Sequence, residues 1–151
     1  MPEHILFRGG VHPADAKALS SNGAIQSVPL QETYLVPLQQ HIGAPAKLLV
    51  KVKDTVLRGQ LLAEPGGFVS AAIHAPTSGT VKQITEALSP MGRMGPAVQI
   101  ETDGEDRPDE SLTPMPDWRD CDPADLKQRI AAAGIVGMGG AAFPTVVKLS
   151  P

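Results

Sequence analysis

The sequence predicts a mainly β fold of short strands closed as a sandwich or barrel. Three observations carry that prediction. Glycine and proline contribute 15 residues each to a chain of 151, too many for a helix bundle and without the period of collagen. Apolar residues reach 42% while aromatic residues are only 3%, so a core must be assembled from Val, Ile, Leu and Ala. Across residues 46–101 short apolar runs alternate with turn signals, at the spacing of roughly 8–12 residues typical of such folds.

Residues 1–36 read as an irregular N-terminal extension. Phe7-Arg8-Gly9-Gly10-Val11-His12-Pro13 and Ser20-Ser21-Asn22-Gly23 are turn-rich, and Ile25-Gln26-Ser27-Val28 is expected to form a short strand. Met1-Pro2-Glu3-His4 lacks the basic and apolar stretches of a signal peptide. No apolar run approaches the ~20 residues of a membrane-crossing helix, so direct membrane insertion is not expected.

Residues 37–101 carry the β domain, entered through Tyr34-Leu35-Val36-Pro37-Leu38. Val50 and Val52 alternate with Lys51 and Lys53, the period of a half-buried strand. Asp54 and Gly59 mark turns, with Val56 and Leu61 expected to point inward. After Pro65-Gly66-Gly67, Phe68-Val69 and Ala72-Ile73 are expected to return as a hairpin, followed by a strand through Ile84 and another at Ala97-Val98-Gln99-Ile100.

The formal charge of −3 argues against a general nucleic-acid binder. Ten acids against two arginines fall within residues 101–125, so the acidic, proline-containing segment 102–122 reads as a solvated linker or a docking site for a basic partner. Residues 123–151 then hold a helix and a glycine-rich loop. Asp122 is its expected N-cap, Pro123 its first residue and Gly134 its C-terminal stop. Leu126, Ile130 and Ala133 share one face.

The single cysteine, Cys121, excludes an internal disulfide and a cysteine-ligated zinc or iron–sulfur centre. His12, His41 and His74 show no metal-ligand spacing and read as structural or surface histidines.

The run Val52-Lys53-Asp54-Thr55-Val56-Leu57-Arg58-Gly59-Gln60-Leu61, followed by Ala75-Pro76-Thr77-Ser78-Gly79-Thr80-Val81, resembles biotinyl and lipoyl domains. The resemblance implies a barrel-sandwich hybrid in which the two turns are related by a pseudo-twofold. Lys53 stands where that family usually has glycine. A carrier displays one lysine between these motifs, and no lysine occurs between Lys53 and Lys82. Carrier chemistry needs that amine and is therefore excluded. An efflux adaptor would share the sandwich, but the coiled-coil heptads it needs do not appear.

Gly137-x-Gly139-Gly140 is a loop whose backbone N–H groups are able to face an anion. It lacks the Lys-Ser/Thr ending of a P-loop and follows a helix rather than a strand, so a plain turn competes with a phosphate site. The longer string Gly137 to Lys148 resembles the G-x-G-G-A-G-F-P-T-x-x-K signature of the flavin- and NADH-binding subunit of respiratory complex I. With Phe7–Pro13, Pro37-Leu38-Gln39-Gln40-His41-Ile42-Gly43 and His74–Val81, the chain resembles the N-terminal part of the C subunit of the Rnf electron-transport complex.

That resemblance implies a longer oxidoreductase subunit. It would pass electrons from NADH through FMN to 4Fe-4S iron–sulfur clusters, inside a membrane-associated, ion-translocating complex. The subunit would lie peripherally on the cytoplasmic side of the bacterial inner membrane, with the other subunits of the complex as partners. By resemblance Gly137, Gly139, Gly140 and Lys148 lie near the flavin phosphate and Phe143 near the nicotinamide nucleotide, in the full-length protein alone. A helix beginning near Pro144 would add free N–H groups. Ala142 replaces the family's usual glycine, and Val136 and Met138 stand where the complex I protein has arginines. The fragment itself is expected to hold no FMN, cluster or other cofactor and no catalytic or metal-binding residue. A non-enzymatic interaction module with a degenerate biotinyl-like fold is the alternative.

Overall fold

The computed structural model describes residue 14 and residues 16–150, so the turn at residues 7–13, with His12, lies outside the described residues. Among the described residues the strands are β1 (Thr33–Pro37), β2 (Lys47–Leu48), β3 (Thr55–Val56), β4 (Leu61–Glu64), β5 (Ile73–His74), β6 (Gly79–Leu88) and β7 (Met94–Thr102). Two helices follow, α1 (Pro123–Ala132) and α2 (Thr145–Lys148). One antiparallel sheet runs β1-β7-β6-β3 and a second runs β2-β4-β5.

The two sheets enclose one core. Val36, Val56, Val81, Val98 and Ile100 from the first sheet meet Leu62, Ala63 and Ile73 from the second. Val56, Leu62, Val81, Val98 and Ile100 are fully buried, each contributing about 1.5–3 kcal/mol relative to exposure. Ala46, Ala63 and Ala75 fill the remaining space in a core of buried aliphatic side chains. This is the mainly β architecture that the composition predicts, closed as the barrel sandwich that the biotinyl-like resemblance implies.

The two carrier-like turns lie side by side. Thr55 and Val56 pair with Thr80 and Gly79. Lys53 N–H donates to the Val81 carbonyl (2.8 Å), and Val81 N–H donates to the Asp54 carbonyl (2.9 Å). Gly59 N–H reaches the Ala75 carbonyl (2.8 Å). At Gly79 a Cβ would sit 2.1 Å from the Glu101 carbonyl oxygen, so the close approach of β6 to β7 requires glycine there.

Four local expectations are corrected. Ile25–Val28 forms no strand: both end residues are fully or largely exposed and, among the described residues, no chain segment pairs with them, and an unpaired strand has no ladder to stabilise it. The Val50–Lys53 alternation is not a strand either. β2 ends at Leu48, and the chain turns because Asp54 Oδ2 accepts the Lys51 N–H at 2.9 Å, leaving Val52 exposed. Leu61 faces outward and Leu62 inward, because the β4–β5 pairing shifts register between Leu61 and Ala63. Phe68-Val69 lies in the connecting loop, with Phe68 exposed. That loop finds its partners in residues 44–46 instead: Ala44 N–H donates to the Val69 carbonyl (2.9 Å), and the Ser70 hydroxyl donates to the Ala44 carbonyl (2.8 Å).

β1 straddles the residue 36/37 boundary read from the sequence and pairs along its length with β7. Residues 103–109 are strapped to the barrel rather than standing off it. Arg58 N–H donates to the Arg107 carbonyl and Asp109 N–H to the Arg58 carbonyl, both at 2.9 Å. The Ser78 hydroxyl donates to Asp103 (2.6 Å) and accepts from Arg107 N–H (2.8 Å). Arg107 also forms ion pairs with Asp103 and Glu105.

α1 begins as expected: Asp122 Oδ1 accepts the Ala124 N–H at 2.7 Å and Pro123 occupies the first turn. It ends at Gly134, whose φ of 64° is the left-handed stop. α1 packs on α2, and Arg129 donates to the Thr113 carbonyl.

Candidate functional site

Val136 and Pro144 pair as an isolated antiparallel bridge that closes the glycine-rich loop. Inside it, Gly137 N–H donates to the Phe143 carbonyl and Ala142 N–H to the Gly139 carbonyl, both at 2.9 Å. The five residues expected from the sequence all lie in this loop or directly after it. Gly137, Phe143 and Lys148 come together: Lys148 Nζ is 5.8 Å from the Phe143 ring centroid, and a Cβ on Gly137 would lie 3.5 Å from that nitrogen. Gly139 and Gly140 occupy the apex.

The two apex glycines are not required by the fold. A Cβ on either would meet nothing within 4 Å, and neither holds a left-handed φ. Among the described residues the amides of Met138, Gly139, Gly140 and Ala141 make no hydrogen bond. Met138 is fully exposed. The loop therefore presents a run of free N–H donors with no side chain at its centre, an arrangement suited to an oxyanion.

The contribution expected from the following helix is different. α2 is a single turn of four residues. Its first amide, Thr145 N–H, is taken by the Ile135 carbonyl (2.9 Å), and Val147 N–H by the Pro144 carbonyl (3.2 Å). Most of the free donors therefore belong to the loop; among the described residues the helix start adds Val146 N–H, which makes no hydrogen bond. Ala142 keeps a left-handed φ of 44°, the conformation for which glycine is the usual choice, and carries its methyl there half-buried.

Sequence reasoning passed over the residues that hold this loop to the barrel. His41 is fully buried; its Nε2 accepts the Ala71 N–H (3.0 Å) and its Nδ1 faces the Ile42 carbonyl (3.0 Å). Ile42 N–H donates to the Ala141 carbonyl (3.2 Å). The signal was present in the Pro37–Gly43 motif, but nothing in its spacing reveals a partner thirty residues away. His74 lines two clefts between the barrel and α1, of about 430 and 220 Å³. Burial pushes the His74 pKa down, opposed by a hydrogen bond to the Ala132 backbone. Among the described residues no cluster of His, Cys, Asp and Glu is arranged to hold a metal ion, and no helix is long and apolar enough to cross a membrane.

Residues 5–105 match the family described as the RnfC barrel sandwich hybrid domain. The chain is 50% identical over 146 residues to the C subunit of the ion-translocating oxidoreductase complex of Pseudomonas aeruginosa, covering 95% of this chain and 19% of that protein. It is 43% identical over 145 residues to the C subunit of the proton-translocating ferredoxin:NAD(+) oxidoreductase complex of Clostridium ljungdahlii, covering 96% of this chain and 32% of that protein. It is 40% identical over 148 residues to the C subunit of the Na(+)-translocating ferredoxin:NAD(+) oxidoreductase complex of Acetobacterium woodii, covering 98% and 33% respectively. The chain thus spans about a fifth to a third of the length of these curated relatives. The two-sheet barrel, its paired turns and this match together place the chain in the RnfC barrel-sandwich-hybrid family.

Proposed function

We propose that this chain is the N-terminal portion of a peripheral subunit in a membrane-associated, ion-translocating oxidoreductase complex. In the whole subunit, electrons pass from NADH through FMN to 4Fe-4S clusters. The N-terminal portion holds no redox centre of its own. Its barrel is a scaffold, and its loop 137–142 forms one wall of an FMN site that later parts of the protein complete.

The observation that carries this reading is the apex of that loop. Four successive amides, at Met138, Gly139, Gly140 and Ala141, lack a partner among the described residues, and glycines stand where the fold itself does not need them. Glycine at such a position permits close backbone approach to a phosphate. The exposed Lys148 ammonium, held near Gly137, supplies positive charge at the same loop. Phe143 offers the ring face against which Lys148 rests and lies toward the nicotinamide nucleotide by family resemblance. Bound FMN would supply hydride acceptance and one-electron transfer; these residues supply only binding and orientation.

The test is FMN affinity in the full-length protein. Gly140→Val and Lys148→Glu should each weaken FMN binding by roughly tenfold or more, the loss of one charge-assisted contact. The unfolding midpoint of the barrel should not move. The isolated 151-residue chain should be colourless. Unchanged flavin affinity in both variants, or a stoichiometric flavin spectrum in the isolated chain, would sink the proposal.

A further inference from the structure

We infer that His41 is a positioning residue that fixes the glycine-rich loop against the barrel. The inference rests on reading that loop as a flavin wall, and it assigns the loop's placement to a side chain outside it.

The connection is a relay of backbone hydrogen bonds. His41 Nε2 accepts the Ala71 N–H (3.0 Å). An amide donor there requires a lone pair on Nε2, so the ring proton sits on Nδ1. Nδ1–H is then the donor to the Ile42 carbonyl (3.0 Å). The same peptide segment sends Ile42 N–H to the Ala141 carbonyl (3.2 Å). Among the described residues this is the one backbone hydrogen bond between loop 137–143 and the barrel.

The segment that carries the relay is itself clamped. Ala44 N–H donates to the Val69 carbonyl (2.9 Å). The Ser70 hydroxyl donates to the Ala44 carbonyl (2.8 Å) and accepts from Gly66 N–H (2.9 Å). Gly43 holds a φ of 98°, and a Cβ there would lie 2.1 Å from the Val69 carbonyl oxygen. Residues 41–44 therefore lie against the β4–β5 connection, and the Ile42 amide reaches from them to the loop. Just before the loop, a cleft of about 220 Å³ lies between His41, Ala71–His74 and Ala133, Gly134 and Val136. The ends of the loop are held by packing, with Pro144 buried and Gly134 close against Ala72, and the Ile42–Ala141 bond ties its far side to the barrel.

A purely structural histidine would satisfy the Ala71 amide and nothing more. The two roles separate by hydrogen exchange at the bonded amides Ile42, Gly137 and Ala142, read against amides of β6 and β7. In the full-length protein, His41→Leu should raise exchange at these three positions roughly tenfold more than in β6–β7, and weaken FMN binding by roughly tenfold, as expected for one lost buried hydrogen bond. His41→Gln, which keeps an acceptor for Ala71, should restore both. If His41→Leu does not fold, His41→Asn, which keeps the donor to Ile42 but cannot reach Ala71, is read in the same way with about half the effect. Equal exchange changes in loop and sheet would overturn the inference. So would FMN affinity that is unchanged in His41→Leu while Lys148→Glu weakens it. Raised loop exchange with FMN affinity unchanged in both variants would instead overturn the flavin reading and leave the brace intact.

Discussion

Lys53 donates its N–H to the Val81 carbonyl across 2.8 Å while holding φ at 78°. The bond fixes the turn that zips the two carrier-like motifs together, and the chain accepts a left-handed lysine to make it. That conformation costs a non-glycine residue about 1–2 kcal/mol, while glycine returns about 0.5–1 kcal/mol of that through its freer unfolded state. Lys53→Gly should therefore stabilise the barrel by about 0.5–1 kcal/mol, seen as a higher urea midpoint at unchanged slope. A lower midpoint would show that the lysine side chain outweighs the strain.

Glycines at the paired turn and at the loop apex should separate cleanly. Gly79→Ala forces a methyl into the Glu101 carbonyl and should cost about 2–3 kcal/mol. Gly139→Ala and Gly140→Ala meet open space and should stay within about 0.5 kcal/mol of wild type. Denaturant titration of the three variants checks this; a costly Gly139→Ala would mean that the apex glycine serves the fold after all.

Acid should loosen the 103–109 strap. The Ser78 hydroxyl, then the Arg107 guanidinium and the Glu105 backbone, hold the Asp103 carboxyl well below the usual carboxylate range. A group depressed in this way stabilises the fold above its unfolded pKa, about 3.9, and loses that contribution as pH falls. Wild type should thus exceed Ser78→Ala in stability at neutral pH, with the gap closing below about pH 4. A gap that widens on acidification would contradict the assignment.

His74 gives a second, higher window. Burial favours its neutral ring, so its folded pKa lies below the ordinary value, near 6.5 in the unfolded chain. Its contribution is complete above about pH 6.5 and declines as pH drops through the folded value. The stability difference between wild type and His74→Leu should accordingly move against wild type between about pH 7.5 and 5. Movement in the opposite direction would mean that the Ala132 hydrogen bond, not burial, governs the ring.

Much of this was legible in the sequence. The Asp54–Gly59 and Pro76–Gly79 turns, the Asp122 cap and the Gly134 stop each carry a local chemical requirement met within a few residues. Leu61 and Leu62 were not distinguishable, because a register shift decides which points inward and that shift is set by β5. Val50–Lys53 misled because a side-chain bond from Asp54 overrides the alternation. At the site, Gly137 to Lys148 was found as a string and its loop amides as candidate anion donors; what was not legible was how short α2 is, because that depends on packing. His41 read only as a structural or surface histidine, and its bonding role was not legible because its partner Ala71 lies thirty residues downstream.

The hairpin where a carrier would display its lysine has a further meaning. Gly66 lies so close to the Pro45 carbonyl that a Cβ would fall 1.9 Å from its oxygen, and Ser70 ties the same turn to Ala44. A ligase that attaches biotin or lipoate must take a protruding turn into its own cleft. Here that turn is seated on its neighbour, so restoring a lysine at residue 67 would not restore the modification. The missing amine and the missing projection are separate obstacles to carrier chemistry, and a substitution that supplies one leaves the other in place.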